Sequence, residues 1–78
     1  MFYVYAIKSK ERNHIYVGLT GDVKRRMSKH NNGWVKTTRS FAPFNTILLE
    51  KYKTRLEARE REKYLKSGIG KEFLRSII

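Results

Sequence analysis

Phe2-Tyr3-Val4-Tyr5-Ala6-Ile7-Lys8, then Ser9-Lys10-Glu11-Arg12-Asn13, then His14-Ile15-Tyr16-Val17-Gly18: the reading of residues 2–18 decides the fold. The first run is rich in aromatic and β-branched residues and reads as a strand apolar on both faces. The third run reads as a second strand. The short polar stretch between them predicts a turn, and so an antiparallel hairpin, with Gly18 and Gly21 punctuating its end.

Working outward, Asp22 is suited to cap a helix running to about Asn32, with Gly33 as its stop. Residues 33–43 read as a loop holding Trp34, Lys36, Thr37, Thr38, Arg39 and the only proline, Pro43. Phe44 to Tyr52, around Ile47-Leu48-Leu49, reads as a third strand. Thr54-Arg55-Leu56-Glu57 matches a capping box and predicts a second helix ending near Ser67-Gly68. Gly70 to Ile77 then predicts a short terminal helix. The expected order is β-β-α-β-α-α, an α+β fold with a three-stranded, mainly antiparallel sheet flanked by helices. No repeat or linker divides residues 1–78, so one domain is expected.

The 78 residues carry 18 Lys+Arg against 7 Asp+Glu, a formal charge of +11. A chain this short buries only ~60% of its unfolded surface. Even so, 40% hydrophobic and 13% aromatic residues supply a modest core and argue against disorder. The absence of cysteine excludes a disulfide framework and a thiolate zinc site, and is compatible with a reducing, cytoplasmic setting. No signal peptide is visible, and no stretch approaches the ~20 apolar residues of a membrane span. The charge excess favours an anionic partner, with nucleic acid ahead of a membrane surface because the basic residues are spread along the chain.

The helix faces are more specific. Val23, Arg26, Met27 and His30 share one stripe of the first helix, and Ala58, Arg61, Glu62 and Leu65 share one stripe of the second. Arg26, His30 and Glu62 therefore stand where apolar residues should dock on the sheet. Each has an ordinary explanation: Arg26 snorkelling, His30 complementing the helix C-terminus, Glu62 pairing with Arg59 or Lys66. Three ionisable groups aimed at one sheet are harder to explain that way, since buried charges need partners or a metal. Tyr3 and Tyr5 point to one face of the first strand, and Tyr16 lies on its neighbour. Packing accounts for Tyr3, Tyr52 and Tyr64, and His14 is assigned no role.

Together, Tyr3-Val4-Tyr5, Tyr16-Val17-Gly18, Arg26 ten residues on, His30 four later, the Thr38-Arg39…Pro43 segment and Glu62 on the next helix resemble the GIY-YIG nuclease superfamily. The likeness spans almost the whole chain and is closest to small members similar to the UvrC N-terminal nuclease module. It implies phosphodiester hydrolysis in DNA, in repair or recombination, with a single divalent ion, Mg²⁺ or Mn²⁺. By the same resemblance, Glu62 would be the metal's protein ligand. Tyr5 would be the general base or hold the attacking water, with Tyr16 in support. Arg26 would face the scissile phosphate, and His30 would bond the tyrosine or phosphate. Phosphoryl chemistry needs positioned positive charge, and Mg²⁺ is commonly held by one or two carboxylates, so the set is chemically sufficient. A tyrosine base has an ordinary pKa of ~10, so Arg26, a charged His30 or the metal would have to lower it.

Lys8, Lys10, Arg12, Trp34, Lys36, Thr38 and Arg39 are expected to bind nucleic acid, Trp34 by stacking on an unpaired base. The expected partner is DNA, branched or damaged forms included, with no membrane and with a further protein for targeting. No asparagine follows Asn45, although many members carry one after the glutamate. A non-catalytic nucleic-acid-binding module on the same scaffold is therefore the second reading.

Overall fold

The computed structural model describes residues 1–78. Strand β1 (Phe2–Ser9) is the middle of a three-stranded sheet, with β2 (Ile15–Thr20) on one side and β3 (Phe44–Tyr52) on the other. Both pairings are antiparallel. The central position explains the sequence of β1: a strand covered on both faces loses the polar half of its alternation. Helices α1 (Val23–Asn31), α2 (Arg55–Lys66) and α3 (Gly68–Ser76) complete the order β-β-α-β-α-α, the α+β arrangement expected from the sequence. No helix is long and apolar enough to cross a membrane.

Alternation along β1 divides the interior in two. Val4 and Ala6 pack with Ile15 and Val17 of β2, Ala58 and Leu65 of α2 and Leu74 of α3. Tyr5 and Ile7 point the other way, into a smaller cluster with Phe44, flanked by Tyr16, Met27, Phe41 and Ala42. Burying each Val, Ile or Leu side chain of the first cluster contributes about 1.5–3 kcal/mol. Arg61 ties α2 to the sheet beside it, donating from Nε and Nη2 to the two oxygens of Glu50 at 2.8 and 3.1 Å, while the Tyr52 hydroxyl donates to Glu50 Oε1 at 2.8 Å. Burial would raise the Glu50 pKa, but these donors hold it below its ordinary value.

The caps act where expected: Asp22 Oδ1 accepts from Arg25 N at 3.1 Å, and Thr54 Oγ1 from Glu57 N at 3.2 Å. Some local details differ. β2 continues past Gly18 to Thr20, because Gly18 pairs with Tyr5 inside the ladder. α3 begins at Gly68 rather than Gly70, because Ser67 both ends α2 and caps α3, its Oγ accepting from Gly70 N at 3.2 Å. Within the expected loop, Arg39–Phe41 form a single 3₁₀ turn, too short to leave a periodic signal in sequence.

Candidate active site

Tyr5 lies at the middle of the central strand, fully buried on the face that α1 covers. Its neighbour across the hairpin is Gly18, and a Cβ at that position would collide with the phenol oxygen of Tyr5. The missing side chain is thus the space the phenol occupies. Arg26 Nε, from α1, donates to the Tyr5 hydroxyl at 3.1 Å. His30, one helical turn further along the same stripe, places Nε2 2.9 Å from that hydroxyl. On the other side of its ring, His30 Nδ1 lies 2.8 Å from Thr38 Oγ1, which in turn donates to the Val35 carbonyl at 3.4 Å.

One assignment of protons satisfies every atom in this row. The Tyr5 hydroxyl has no acceptor but His30 Nε2, since Arg26 only donates, so His30 Nδ1 carries the ring proton and binds Thr38, whose hydroxyl is left to donate to Val35 O. His30 Nε2 is then an acceptor and receives the Tyr5 O–H, while the phenol oxygen accepts from Arg26. The chain of donors runs Arg26 to Tyr5 to His30 to Thr38.

Electrostatics agree with that assignment. Burial, reinforced by the Arg26 charge, lowers the His30 pKa to about 4, so the imidazole is neutral at pH 7. Burial also raises the Tyr5 pKa, with smaller upward contributions from Tyr16 and the Glu62 charge, against the opposing effect of Arg26. The expectation that a charged His30 lowers the Tyr5 pKa is therefore corrected: desolvation keeps the imidazole neutral and the phenol protonated. The bond to Tyr5 is the main cause of a raised Arg26 pKa.

Tyr16, half-buried, closes the group by ring contacts, with centroids 6.3 Å from Tyr5 and 5.0 Å from His30. Glu62 is 6% exposed on the stripe of α2 that carries Ala58 and Leu65. No hydrogen bond joins it to the tyrosines, Arg26 or His30. Its Oε1 accepts from Arg59 at 3.1 Å and its Oε2 pairs with Lys66 at 3.2 Å, both partners at least half exposed. Its charge reaches the Tyr5 phenol all the same. No cluster of three or more His, Cys, Asp or Glu exists. If Glu62 holds a metal, as the resemblance implies, it would do so as a single carboxylate, and Arg59 and Lys66 would have to release its oxygens. A hydrated Mg²⁺-type ion fits that donor set, and a dehydrated transition-metal cage does not.

Residues 1–72 match the family model described as the GIY-YIG catalytic domain. The chain belongs to the GIY-YIG family. It is 37% identical over 67 residues to a UPF0213 protein of Clostridium perfringens, covering 85% of this chain and 71% of that one. A UPF0213 protein of Staphylococcus aureus is 34% identical over 76 residues, covering 96% and 92%. Among solved structures, the solution NMR structure of a UPF0213 protein from Bacillus halodurans matches with a TM-score of 0.58 and 36% identity, over 97% of this chain and 84% of that one.

In this GIY-YIG chain, two residues central to the geometry have a different place from the one their sequence suggests. Gly18 reads as strand punctuation, whereas it is the clearance for Tyr5; fixing the hairpin register, which sets Tyr5 opposite Gly18, would have revealed it. Thr38 is expected on the nucleic-acid surface, but it is fully buried and bonded to His30, so that expectation is corrected. Of the other basic-surface residues, Lys10, Arg12, Trp34, Lys36 and Arg39 are exposed. Lys8 is half-buried, its ammonium donating to the Ser9 and Arg12 carbonyls that close the hairpin. His14 stacks on Phe41, ring centroids 3.8 Å apart, and pins the hairpin turn to the 3₁₀ turn.

Proposed function

We propose that this GIY-YIG protein is a divalent-metal-dependent endonuclease that hydrolyses DNA phosphodiester bonds, with residues 1–78 acting as one nuclease domain. The observation that carries the reading is the buried row Arg26–Tyr5–His30, in which a protonated phenol faces a neutral imidazole. A phenol of raised pKa is a poor base by itself. In this reading the water reaches the buried Tyr5 oxygen only as Arg26 turns from it to the phosphate; the water's proton then passes to Tyr5 and the Tyr5 proton to His30 Nε2, which the phosphate-engaged Arg26 no longer opposes, so no free tyrosinate has to form. Arg26 holds the phenol through Nε and also lines an open basin at the surface, where its charge meets the phosphate. Tyr16 flanks the phenol and fixes its plane. Glu62 would hold Mg²⁺ or Mn²⁺, which when bound would neutralise charge developing on the phosphate. Branched or damaged DNA, a cytoplasmic place in repair or recombination, and a protein partner for targeting belong to the same proposal.

One observation favours a second reading, a non-catalytic nucleic-acid-binding module: both Glu62 oxygens are already paired, with Arg59 and Lys66. One experiment separates the two. Supercoiled plasmid and branched oligonucleotides are incubated with Mg²⁺ or Mn²⁺ and either wild type or Glu62→Ala. Nicking that EDTA and Glu62→Ala both abolish supports the enzyme, whereas salt-sensitive binding without any strand break supports the module. Nicking that persists in Glu62→Ala removes Glu62 from the chemistry.

A further inference from the structure

We infer that the outer side of α1 is a nucleotide subsite: Arg25 and Lys29 hold a phosphate, Trp34 stacks on an unpaired base, and the preferred substrate carries a single-stranded nucleotide beside the bond to be cut. The inference deepens the nuclease reading and rests on it for the position of that bond.

Two open cavities of about 390 and 410 Å³ lie along this side of the helix and share Asp22, Arg25 and Lys29. The first extends to Arg26, the residue that holds Tyr5. The second ends at Trp34, its one hydrophobic lining residue. A chain lying in this trough passes from the candidate reacting centre, over two further cations, to an indole.

The cations are uncompensated. The ion pairs of the molecule are Arg59–Glu62, Lys66–Glu62 and Arg61–Glu50, so Lys24, Arg25, Arg26 and Lys29 have no carboxylate partner. The acid in the trough, Asp22, caps the helix by accepting from Arg25 N. Arg25 and Lys29 are four residues apart and share one face of α1.

Trp34 is 72% exposed, although large aromatics are normally the first residues buried. The backbone fixes its place at the end of the cation row. Trp34 N donates to Lys29 O at 2.9 Å, Gly33 N donates to His30 O at 3.2 Å, and Gly33 has a φ of +72°, a left-handed turn suited to glycine. A positive groove ending in an aromatic plane is the architecture that binds single strands, because every unpaired base offers a π-face. Duplex DNA keeps those faces stacked and would use the cations alone. An acidic peptide would likewise leave the indole unused, and a lipid surface would need a convex apolar face rather than a charged trough.

Trp34 is the sole tryptophan, so its fluorescence reports on this position alone. The test titrates the protein, in EDTA so that nothing is cleaved, with oligothymidylate, an abasic strand of equal length, a blunt duplex, and anionic phosphatidylglycerol vesicles. Oligothymidylate is expected to quench the fluorescence strongly, and the abasic strand and duplex only weakly. By anisotropy of labelled strands, Trp34→Leu weakens oligothymidylate about tenfold and leaves the abasic strand unchanged, with Trp34→Phe restoring most of the loss. Arg25→Gln with Lys29→Gln weakens both strands and reduces the log–log salt slope by about 0.7, the share of one single-strand phosphate. Equal quenching by thymidylate, abasic strand and duplex overturns the subsite, as does quenching by vesicles alone or an unaltered affinity in Trp34→Leu. Because the readout needs no turnover, strong quenching without cleavage would refute the nuclease and keep the subsite. Glu62-dependent cleavage without quenching would do the reverse.

Discussion

The two faces of β1 put consecutive residues of one strand to opposite uses. On the Val4–Ala6 face, α2 and α3 close over an aliphatic cluster in which shape and area matter, with Glu62 the one buried ionisable group on the α2 stripe that covers it. On the Tyr5–Ile7 face, α1 brings an arginine and a histidine against a buried phenol, and every polar atom there finds a partner. A shift of one residue in register would exchange the two environments. Val4 and Ala6 should therefore govern stability, and Tyr5, alone among the positions of β1, the proposed chemistry.

The largest effect expected from that contrast is on cleavage by Tyr5→Phe. Removing the hydroxyl is expected to slow plasmid nicking by about 10³-fold, the range of a positioned acid–base group. The fold should persist by circular dichroism. Leu74→Ala, on the opposite face, should do the converse, costing about 2–5 kcal/mol in urea unfolding while the folded fraction keeps its specific activity. Comparable losses of activity in both variants would break the division of labour.

Acid should strain the α1 face next. The His30 pKa lies near 4 in the folded chain against an ordinary 6.5. Between those values the unfolded chain binds a proton that the folded one does not, so stability is complete above about pH 6.5 and is lost as the pH falls toward 4. The loss should be about 2–3 kcal/mol, with His14, also lowered by burial, adding in the same direction. His30→Gln should flatten the stability curve measured by urea unfolding across that range. The smallest effect is assigned to Thr38→Val, which fills the same space but no longer fixes the imidazole tautomer. Nicking should slow about tenfold and its pH profile should shift, with Thr38→Ser restoring both. A uniform loss of stability without a change in the pH profile would make Thr38 a packing residue only.

Much of this division is legible in the chain. The strands, caps and helices follow from local patterns: β-branched and aromatic runs, Asp22, Thr54 and the glycines. Arg26, His30 and Glu62 stand out because charges occupy stripes that ought to be apolar. What stays hidden depends on pairing across distance. Gly18 carries meaning only once it is known to face Tyr5, and Thr38 looks like any polar loop residue until the chain from Val35 to Phe41 turns it inward. Protonation is hidden for the same reason. His30 in isolation suggests a cation, and only its complete burial beside Arg26 makes it neutral.

The neutral, Nδ1-protonated His30 that accepts from Tyr5 is what unites the fold with the proposed chemistry, and nitrogen-15 NMR of the imidazoles reads it directly. With only two histidines in the chain, the spectrum separates His30 from His14 by a single His14→Gln variant. At pH 7, His30 should show a protonated Nδ1 and a bare Nε2, and it should stay neutral until the pH approaches about 4. A His30 protonated on Nε2, or one that titrates near 6.5, would mean that Tyr5 has no acceptor for its proton.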